Sequence, residues 1–442
     1  MVKIIRKKIG DTMNKYFKLE KNDTNIRTEV TAGFTTFLTM VYIIFVNPGI
    51  LQAAGVPFDQ VFMATIISAG LGTLIMALFA NYPIALAPGM GLNAYFATIV
   101  GAQGLSYQSV FGTVFLAGIL FILLSLTKVR ETLIEAIPTS LKFGITAGIG
   151  LFIAFLGLRM SGIVVANPEN LVSLGDLIQP ITLLSIVGLL VTLILIALEV
   201  KGALFLGMIF TGITGFFTGH LEFQNGFFSL PPTPVFFDLD IASVFSQGLY
   251  AIVFVFLLIT LFDTTGTLIG VSEQAGLMQD GKLPNAKSAF MADAVATTVG
   301  STFGTSPSTA YVESASGVGA GGRTGLTSLV VALLFFAAMF FSPVVEAVAN
   351  LSAITAPVLI IVGFYMMQGL AQIEWKNFIE AFPTFAIILT MPLTSSIATG
   401  IAVGFITYPL LKLIKGQGKE VHWILYVFAV LFIIQLTFFP MH

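Results

Sequence analysis

Residues 304–322 read Gly-Thr-Ser-Pro-Ser-Thr-Ala-Tyr-Val-Glu-Ser-Ala-Ser-Gly-Val-Gly-Ala-Gly-Gly. The stretch lies deep in a chain that is otherwise a series of apolar segments. It is too short and too polar to cross a bilayer as a lipid-facing helix. Pro307 suits the first position of a short helix, with Ser306 as its N-cap. The same proline biases Ser306 toward extended geometry, so a strand-like piece is expected to lead into the helix. Glu313 then falls about a turn and a half inside. A carboxylate there is costly unless it faces protein or a water-filled cavity. The competing reading is a plain loop between two spans that carries a Glu. A second interrupted segment at a matching place favours the first reading.

The surrounding composition sets the class. The chain has 442 residues, 56% hydrophobic and 10% charged, with a mean hydropathy of +0.97. Those values describe a polytopic membrane protein. Cysteine is absent, so neither disulfides nor a thiol-ligated metal is expected, and no cofactor is expected. His220, His422 and His442 all fall at or beyond segment ends, which disfavours a buried histidine relay. The net charge of −2 says nothing about partners, and no nucleic-acid partner is expected. The first residues are basic but are followed by a polar stretch, so no cleavable signal peptide is expected.

Apolar segments run roughly 28–52, 58–80, 83–100, 107–127, 139–159, 179–198 and 202–219. A polar loop covers 220–245. A second series runs roughly 246–271, 287–303, 304–320, 324–342, 352–371, 381–394 and 396–413. With the N-terminus in the cytoplasm, 19 of the 20 Lys and Arg residues fall on the inside, Arg159 being the exception. The loop 220–245 has Glu222, Asp238 and Asp240 and no Lys or Arg, which places it outside. The organisation expected is a cytoplasmic tail 1–27, a first repeat 28–219, the extracellular loop 220–245, a second repeat 246–413 and a C-terminal piece 414–442. Within that last piece, 421–439 is either an extra span or a surface helix.

Fourteen segments split as seven plus seven, and an odd-numbered repeat inverts the second copy. Inverted repeats with paired interrupted segments mark secondary transporters and point to the binding site. The fold class expected is therefore an all-α polytopic membrane protein of two inverted repeats, with a short strand and half-helix in segments 3 and 10. Segment 3 reads Pro83-Ile-Ala-Leu-Ala-Pro88-Gly89-Met90-Gly91-Leu92-Asn93-Ala94-Tyr95. Pro88 precedes Asn93 by five residues, and Pro307 precedes Glu313 by six. Each gives an extended approach, a proline and a half-helix with a polar residue in its second turn. The helix N-termini would offer free backbone N–H groups near the midplane.

Asp263 lies in the apolar segment 8, with Thr267 on its face and Thr264 and Thr265 nearby. No lysine, arginine or histidine is within reach by sequence. Such an acid suits proton uptake and release, with Glu313 as the rival for that role; the competing reading is a structural aspartate bonded to a neighbouring helix. Gly266 and Gly270 share a face and would let another backbone approach. In segment 1, Thr35, Thr39 and Tyr42 form a polar stripe; threonines bonded to their own backbone are an equal alternative. Asp293, after a basic loop, reads as structural and near the cytoplasmic surface. Phe96 and Phe262 are weak candidates to stack on a planar ligand.

These residues resemble a known family. The motifs Ala-Pro-Gly-Met-Gly-Leu-Asn-Ala-Tyr-Phe (87–96), Phe-Asp-Thr-Thr-Gly-Thr (262–267) and Thr-Ala-Tyr-Val-Glu-Ser (309–314) are similar to those of AzgA-like purine permeases. So is residues 32–48, Ala-Gly-Phe-Thr-Thr-Phe-Leu-Thr-Met-Val-Tyr-Ile-Ile-Phe-Val-Asn-Pro. These permeases belong to nucleobase–cation symporter family 2. The resemblance covers nearly the whole chain. It implies a core domain from segments 1–4 and 8–11 and a gate domain from 5–7 and 12–14. It also implies proton-coupled uptake of purine bases (hypoxanthine, guanine, adenine) across the cell membrane, and a homodimer. By motif position, Asp263, Glu313 and Asn93 match the family's substrate-site residues; Thr309, Ser314, Thr267, Phe262 and Thr39 complete the candidate set. The related uracil permeases carry a His where Thr267 stands here, which disfavours a pyrimidine substrate.

The chemistry of a purine fits these residues. Its faces are apolar and its edge is polar. Glu313 can accept two N–H bonds from one edge, and Asn93 can both donate and accept. Two other readings compete. An anion carrier of the sulfate-permease kind shares the architecture, but two carboxylates without a central basic residue argue against it. An intramembrane protease would need Asp263 and Asp293 as a dyad, and neither lies in a Gly-x-Gly-Asp motif.

Overall fold

The structure is a computed structural model and describes residues 12–127, 136–223, 226–278 and 283–438. Lys3, Arg6, Lys7, Lys8, Lys128, Arg130 and Lys282 of the charge argument lie outside the described residues, as does the end of 421–439. Each expected segment is present. Segment 1 is two helices, Ile26–Met40 and Ile43–Ala53, broken at Val41 and Tyr42. Segment 2 is Phe58–Ala80. Segment 3 is strand β1 (Leu86–Pro88) followed by helix Met90–Gln103. Segments 4 to 7 are Tyr107–Leu126, Thr139–Met160, Pro180–Ala197 and Ala203–Phe217. Between segments 5 and 6 lies a hairpin, β2 (Val164–Asn167) with β3 (Leu171–Leu174).

Segments 8 and 9 are Tyr250–Gln274 and Ala286–Phe303. Segment 10 is strand β4 (Ser308–Ala310) and helix Ser314–Gly319. Segments 11 to 14 are Gly325–Ala349, Ser352–Gln372, Phe378–Thr394 and Ile397–Ile414. Nine helices among the described residues are long and apolar enough to cross a membrane. The left-over stretch forms helix Trp423–Phe438. Its Phe428 and Phe432 pack on Phe254 of segment 8 and Phe405 of segment 14.

Packing divides the segments into the core and gate sets. Segment 9 lies on segments 2 and 4, and segment 11 on 1 and 2. Segment 5 lies on 12 and 13, and 13 on 14. Close backbone approach holds the gate together. A Cβ at Gly150 of segment 5 would stand 2.6 Å from the Gly363 carbonyl of segment 12. Without a hydrophobic force between helices in lipid, such small-residue contacts supply the van der Waals packing. One end of the gate is tied by Lys412, 3.4 Å from Glu380 and 3.2 Å from Glu420. The loop after segment 7 folds onto the core: Asp238 accepts from Gln60 and Tyr107, both at 3.2 Å, and Phe237 N–H bonds the Thr302 carbonyl.

Three sequence readings are corrected here. Pro307 does not open a helix with Ser306 as N-cap. It precedes β4, and the helix starts only at Ser314. Strand pairing with β1 claims residues 308–310, so the helix is deferred and shortened to six residues. Glu313 is therefore at the helix start, as its N-cap residue, and not in a second turn. Gly266 and Gly270 do not receive another backbone: nothing lies within 4 Å of a Cβ at either position. Asp293 is fully buried, although a structural role stands.

Candidate functional site

Non-helical backbone at membrane depth must find its hydrogen bonds inside the protein. Here the two interrupted segments satisfy each other. β1 and β4 pair antiparallel, with Leu86 opposite Ala310 and Pro88 opposite Ser308. Gly89 N–H bonds the Pro307 carbonyl at 2.9 Å, and Tyr311 N–H the Ala85 carbonyl at 3.0 Å. Each strand is also held by a threonine from the preceding segment. Thr73 accepts from Leu86 N–H at 2.9 Å and donates to the Leu86 carbonyl at 3.0 Å. Thr297 does the same for Ser308, at 3.1 and 3.2 Å. Segments 2 and 9 are the equivalent members of the two repeats, so the clamp is repeated with the fold.

Two acids meet at this junction. Asp263 of segment 8 stands beside the Thr309 side chain of β4. Glu313 takes one from the Tyr42 hydroxyl, at the break in segment 1. The two carboxyls are close enough for their charges to interact. Among the described residues neither acid forms an ion pair. Tyr311 closes one side: its hydroxyl donates to the Pro88 carbonyl at 2.6 Å, and its ring lies 6.5 Å from that of Tyr42. Tyr365 of segment 12 brings the gate within electrostatic reach of Glu313.

Asn93 arrives from the first repeat, on the helix that follows Gly89. A Cβ at Gly89 would stand 3.1 Å from Thr309 Oγ1, a tight contact that glycine avoids where this helix starts beside β4. The Asn93 Oδ1 accepts from Ser306. Both side chains are fully buried.

The remaining candidates divide. Thr309 is at the centre, through Asp263. Thr39 bonds its own backbone at Thr36, 2.8 Å, and the Ser316 hydroxyl, 2.8 Å, so it ties segment 1 to the segment 10 helix. The Thr35 hydroxyl also goes to its own helix, at the Thr31 carbonyl. Ser314 accepts from Ala85 N–H at 3.0 Å and so braces the strand pair. Phe262 is buried in the core beside Asp263. Phe96 packs on Phe111, 4.7 Å between centroids, inside the helix interface. Thr267 is partly accessible on the same face as Asp263. That face continues through exposed Gly266 and Gly270 to exposed Glu273 and Gln274 at the end of segment 8.

Sequence reasoning missed the parts played by two groups, Ser306 and Glu29. Ser306 read only as a cap. Glu29 is fully buried and accepts from Arg323, Thr324 and Thr327 N–H at 3.0 to 3.3 Å and from the Thr327 hydroxyl at 2.6 Å. It thereby satisfies the free N–H groups at the start of segment 11. Asp293 anchors the network from behind: Thr264 donates to it at 2.6 Å, and Ala310 N–H reaches Thr264 at 3.4 Å.

Comparison with known proteins finds permeases. The model of the permease family Xan_ur_permease matches residues 27–403. The guanine/hypoxanthine permease PbuO of Bacillus subtilis is 58% identical over 428 residues, 95% of this chain and 99% of that protein. The adenine permease AdeP of Escherichia coli is 44% identical, over 97% of each chain. Among solved structures, the transmembrane domain of the cyanobacterial bicarbonate transporter BicA superposes with a TM-score of 0.67 at 16% identity. It covers 85% of this chain and 97% of its own. At that identity the likeness is one of fold.

Proposed function

The chain belongs to the Xan_ur_permease family of permeases, and from that premise we propose that it takes up purine nucleobases with protons by alternating access. The observation that carries the reading is the pairing of Asp263 with Glu313 at the start of one of two mutually bonded half-segments, with Asn93 at the start of the other. Carboxylates accept from ring N–H groups, and an amide N–H donates to a ring nitrogen or carbonyl oxygen. Glu313 is assigned to the N–H edge of the base. Asp263 is assigned to proton coupling, because it is an acid inside an apolar helix whose face continues through the exposed Gly266 and Gly270 to the end of the segment.

The N-terminus is assigned to the cytoplasm by the basic residues, and that end of segment 8 then lies inward. Segment 12, through Tyr365, is the part of the gate that the site slides against. The assembly proposed is the homodimer that the family resemblance implies, to be checked by particle mass in lipid nanodiscs. A bicarbonate- or sulfate-carrying reading gains only fold support, and an acid pair without a cation suits an anion poorly.

The test is uptake of radiolabelled hypoxanthine, guanine and adenine into cells lacking their own permeases. Purine uptake should rise with an imposed inward proton gradient and fall with unlabelled purine. Competition by sulfate or bicarbonate, and none by purines, would overturn the proposal.

A further inference from the structure

Ahead of segment 1 the chain folds into a small knuckle against the core. Residues 12–17 are helical, and the chain turns at Lys18 and Asp23, whose φ values of 56° and 49° are left-handed. Leu19 N–H reaches back to the Asn14 carbonyl, and Thr24 N–H to the Leu19 carbonyl, both at 3.1 Å. Phe17 and Leu19 are buried against Leu326 of segment 11, with Leu78 and Leu329 packed on them. The Tyr16 hydroxyl donates to the Leu78 carbonyl at 2.9 Å, and Asn81 Nδ2 donates to the Phe17 carbonyl at 3.1 Å. The knuckle therefore sits where segment 1 begins, segment 2 ends and segment 11 begins. Span ends lie at the level of the lipid headgroups.

Its apolar side is spent on the protein, and its other side is basic. Lys15, Lys18, Lys21 and Arg27 are exposed, and none forms an ion pair among the described residues. Of the nearby acids, Glu20 accepts from Asn14 Nδ2 at 2.6 Å, and Asp23 is exposed. Through residue 27 the chain carries eight Lys and Arg against three Asp and Glu, so the balance is positive. Tyr16 is 54% exposed, and Phe79, next to the Leu78 that Tyr16 bonds, is 70% exposed. Exposed aromatic rings beside lysines are the furnishing of a membrane–water interface.

We propose that this knuckle docks the core on anionic phospholipid headgroups of the cytoplasmic leaflet, with Lys15, Lys18 and Lys21 as the phosphate contacts. Charge complementarity selects the partner, because lysine clusters beside a span are drawn to an anionic leaflet. The exposed rings favour a lipid over a soluble phosphate. The inference rests on the inward N-terminus proposed above. The knuckle's own bonds go to segment 2, and its buried rings to segment 11, so the contact ties the leaflet to the core and not to the gate.

The experiment places the full chain in nanodiscs of phosphatidylcholine, with or without phosphatidylglycerol. Lysines are labelled with a water-soluble amine reagent and located by mass spectrometry. Phosphatidylglycerol should slow the labelling of Lys15, Lys18 and Lys21 severalfold, and soluble glycerol phosphate should not. Raising the salt from about 0.1 M to about 1 M shortens the screening length from about 10 Å to about 3 Å and should restore the labelling. Lys21→Gln should raise the phosphatidylglycerol content that half-protects the other two lysines by up to about fivefold. Labelling that phosphatidylglycerol leaves unchanged would overturn the inference. Equal protection by glycerol phosphate would overturn it in favour of a free-anion site. Orientation is read apart from this, with an impermeant reagent on intact cells, which should leave the three lysines unlabelled. Labelling there would put the N-terminus outside and bring down the inward reading, and the cytoplasmic leaflet with it, whatever the nanodiscs show.

Discussion

Segments 3 and 10 are built to one plan and furnished differently. Each has a three-residue strand, each strand is held by a reciprocal threonine, and each then turns into a half-helix. The segment 3 helix is 14 residues long and carries a neutral amide. The segment 10 helix is six residues long, and a carboxylate stands at its start. Leu92, beside the amide, is 0% exposed, whereas Val312, beside the carboxylate, is 56% exposed. An inverted repeat supplies a symmetric frame, and function is written in where the copies diverge. The first copy gives a buried scaffold with one donor. The second gives charge, within electrostatic reach of Tyr365 in the gate.

The sharpest break of this comparison is in segment 8, which serves the acidic side. Asp263→Asn should abolish uphill accumulation of purine while leaving exchange of labelled for unlabelled base. Accumulation that still follows an imposed pH difference would move the coupling role to Glu313. Next in size, Glu313→Gln turns an acceptor into a donor. Loss of a charge-assisted hydrogen bond, roughly 1.5–3 kcal/mol, should weaken binding by about one to two orders of magnitude. The matching Asn93→Ala should cost only about threefold to tenfold, the worth of a neutral bond. Equal losses at the two positions, read from competition constants, would erase the asymmetry.

The shared frame should break symmetrically. Thr73→Val and Thr297→Val each leave a buried backbone N–H and carbonyl without their partner, at about 1–3 kcal/mol per group. Both should lower the thermal midpoint of the purified protein by similar amounts. A drop in only one would show that the two clamps are alike in shape and unlike in energy. The smallest effect is a labelling difference. The chain has no cysteine, so Val312→Cys and Leu92→Cys report cleanly on access to a thiol reagent. Val312→Cys should react and be protected by substrate, with transport nearly intact, whereas Leu92→Cys should stay unreactive.

Much of this was legible in the chain. Apolar runs located every segment, and Pro88 and Pro307 marked both interruptions, because a proline amid polar and small residues cannot continue a membrane helix unaided. The extent of the strands was not legible. Leu86 and Ala310 pair across more than two hundred residues, and only that pairing pushes the second half-helix back to Ser314. Glu29, just inside the first apolar run, drew no reading; it is buried by Thr324 and Thr327, which arrive from a distant segment. Gly266 and Gly270 spell a packing motif, yet they are open, since small residues look alike whether a neighbour is near or absent. The acids themselves stood out because apolar helices rarely carry any.

The pairing of β1 with β4 has a consequence for the two faces of the membrane. Bonded strand to strand, the half-segments tilt together or not at all. A base arriving from either side then meets one and the same pocket. Any difference between outward and inward affinity has to arise from the gate helices that cover it, Tyr365 among them. Changes in the strands should scale the dissociation constants on both faces by a common factor, whereas changes in segment 12 should alter their quotient.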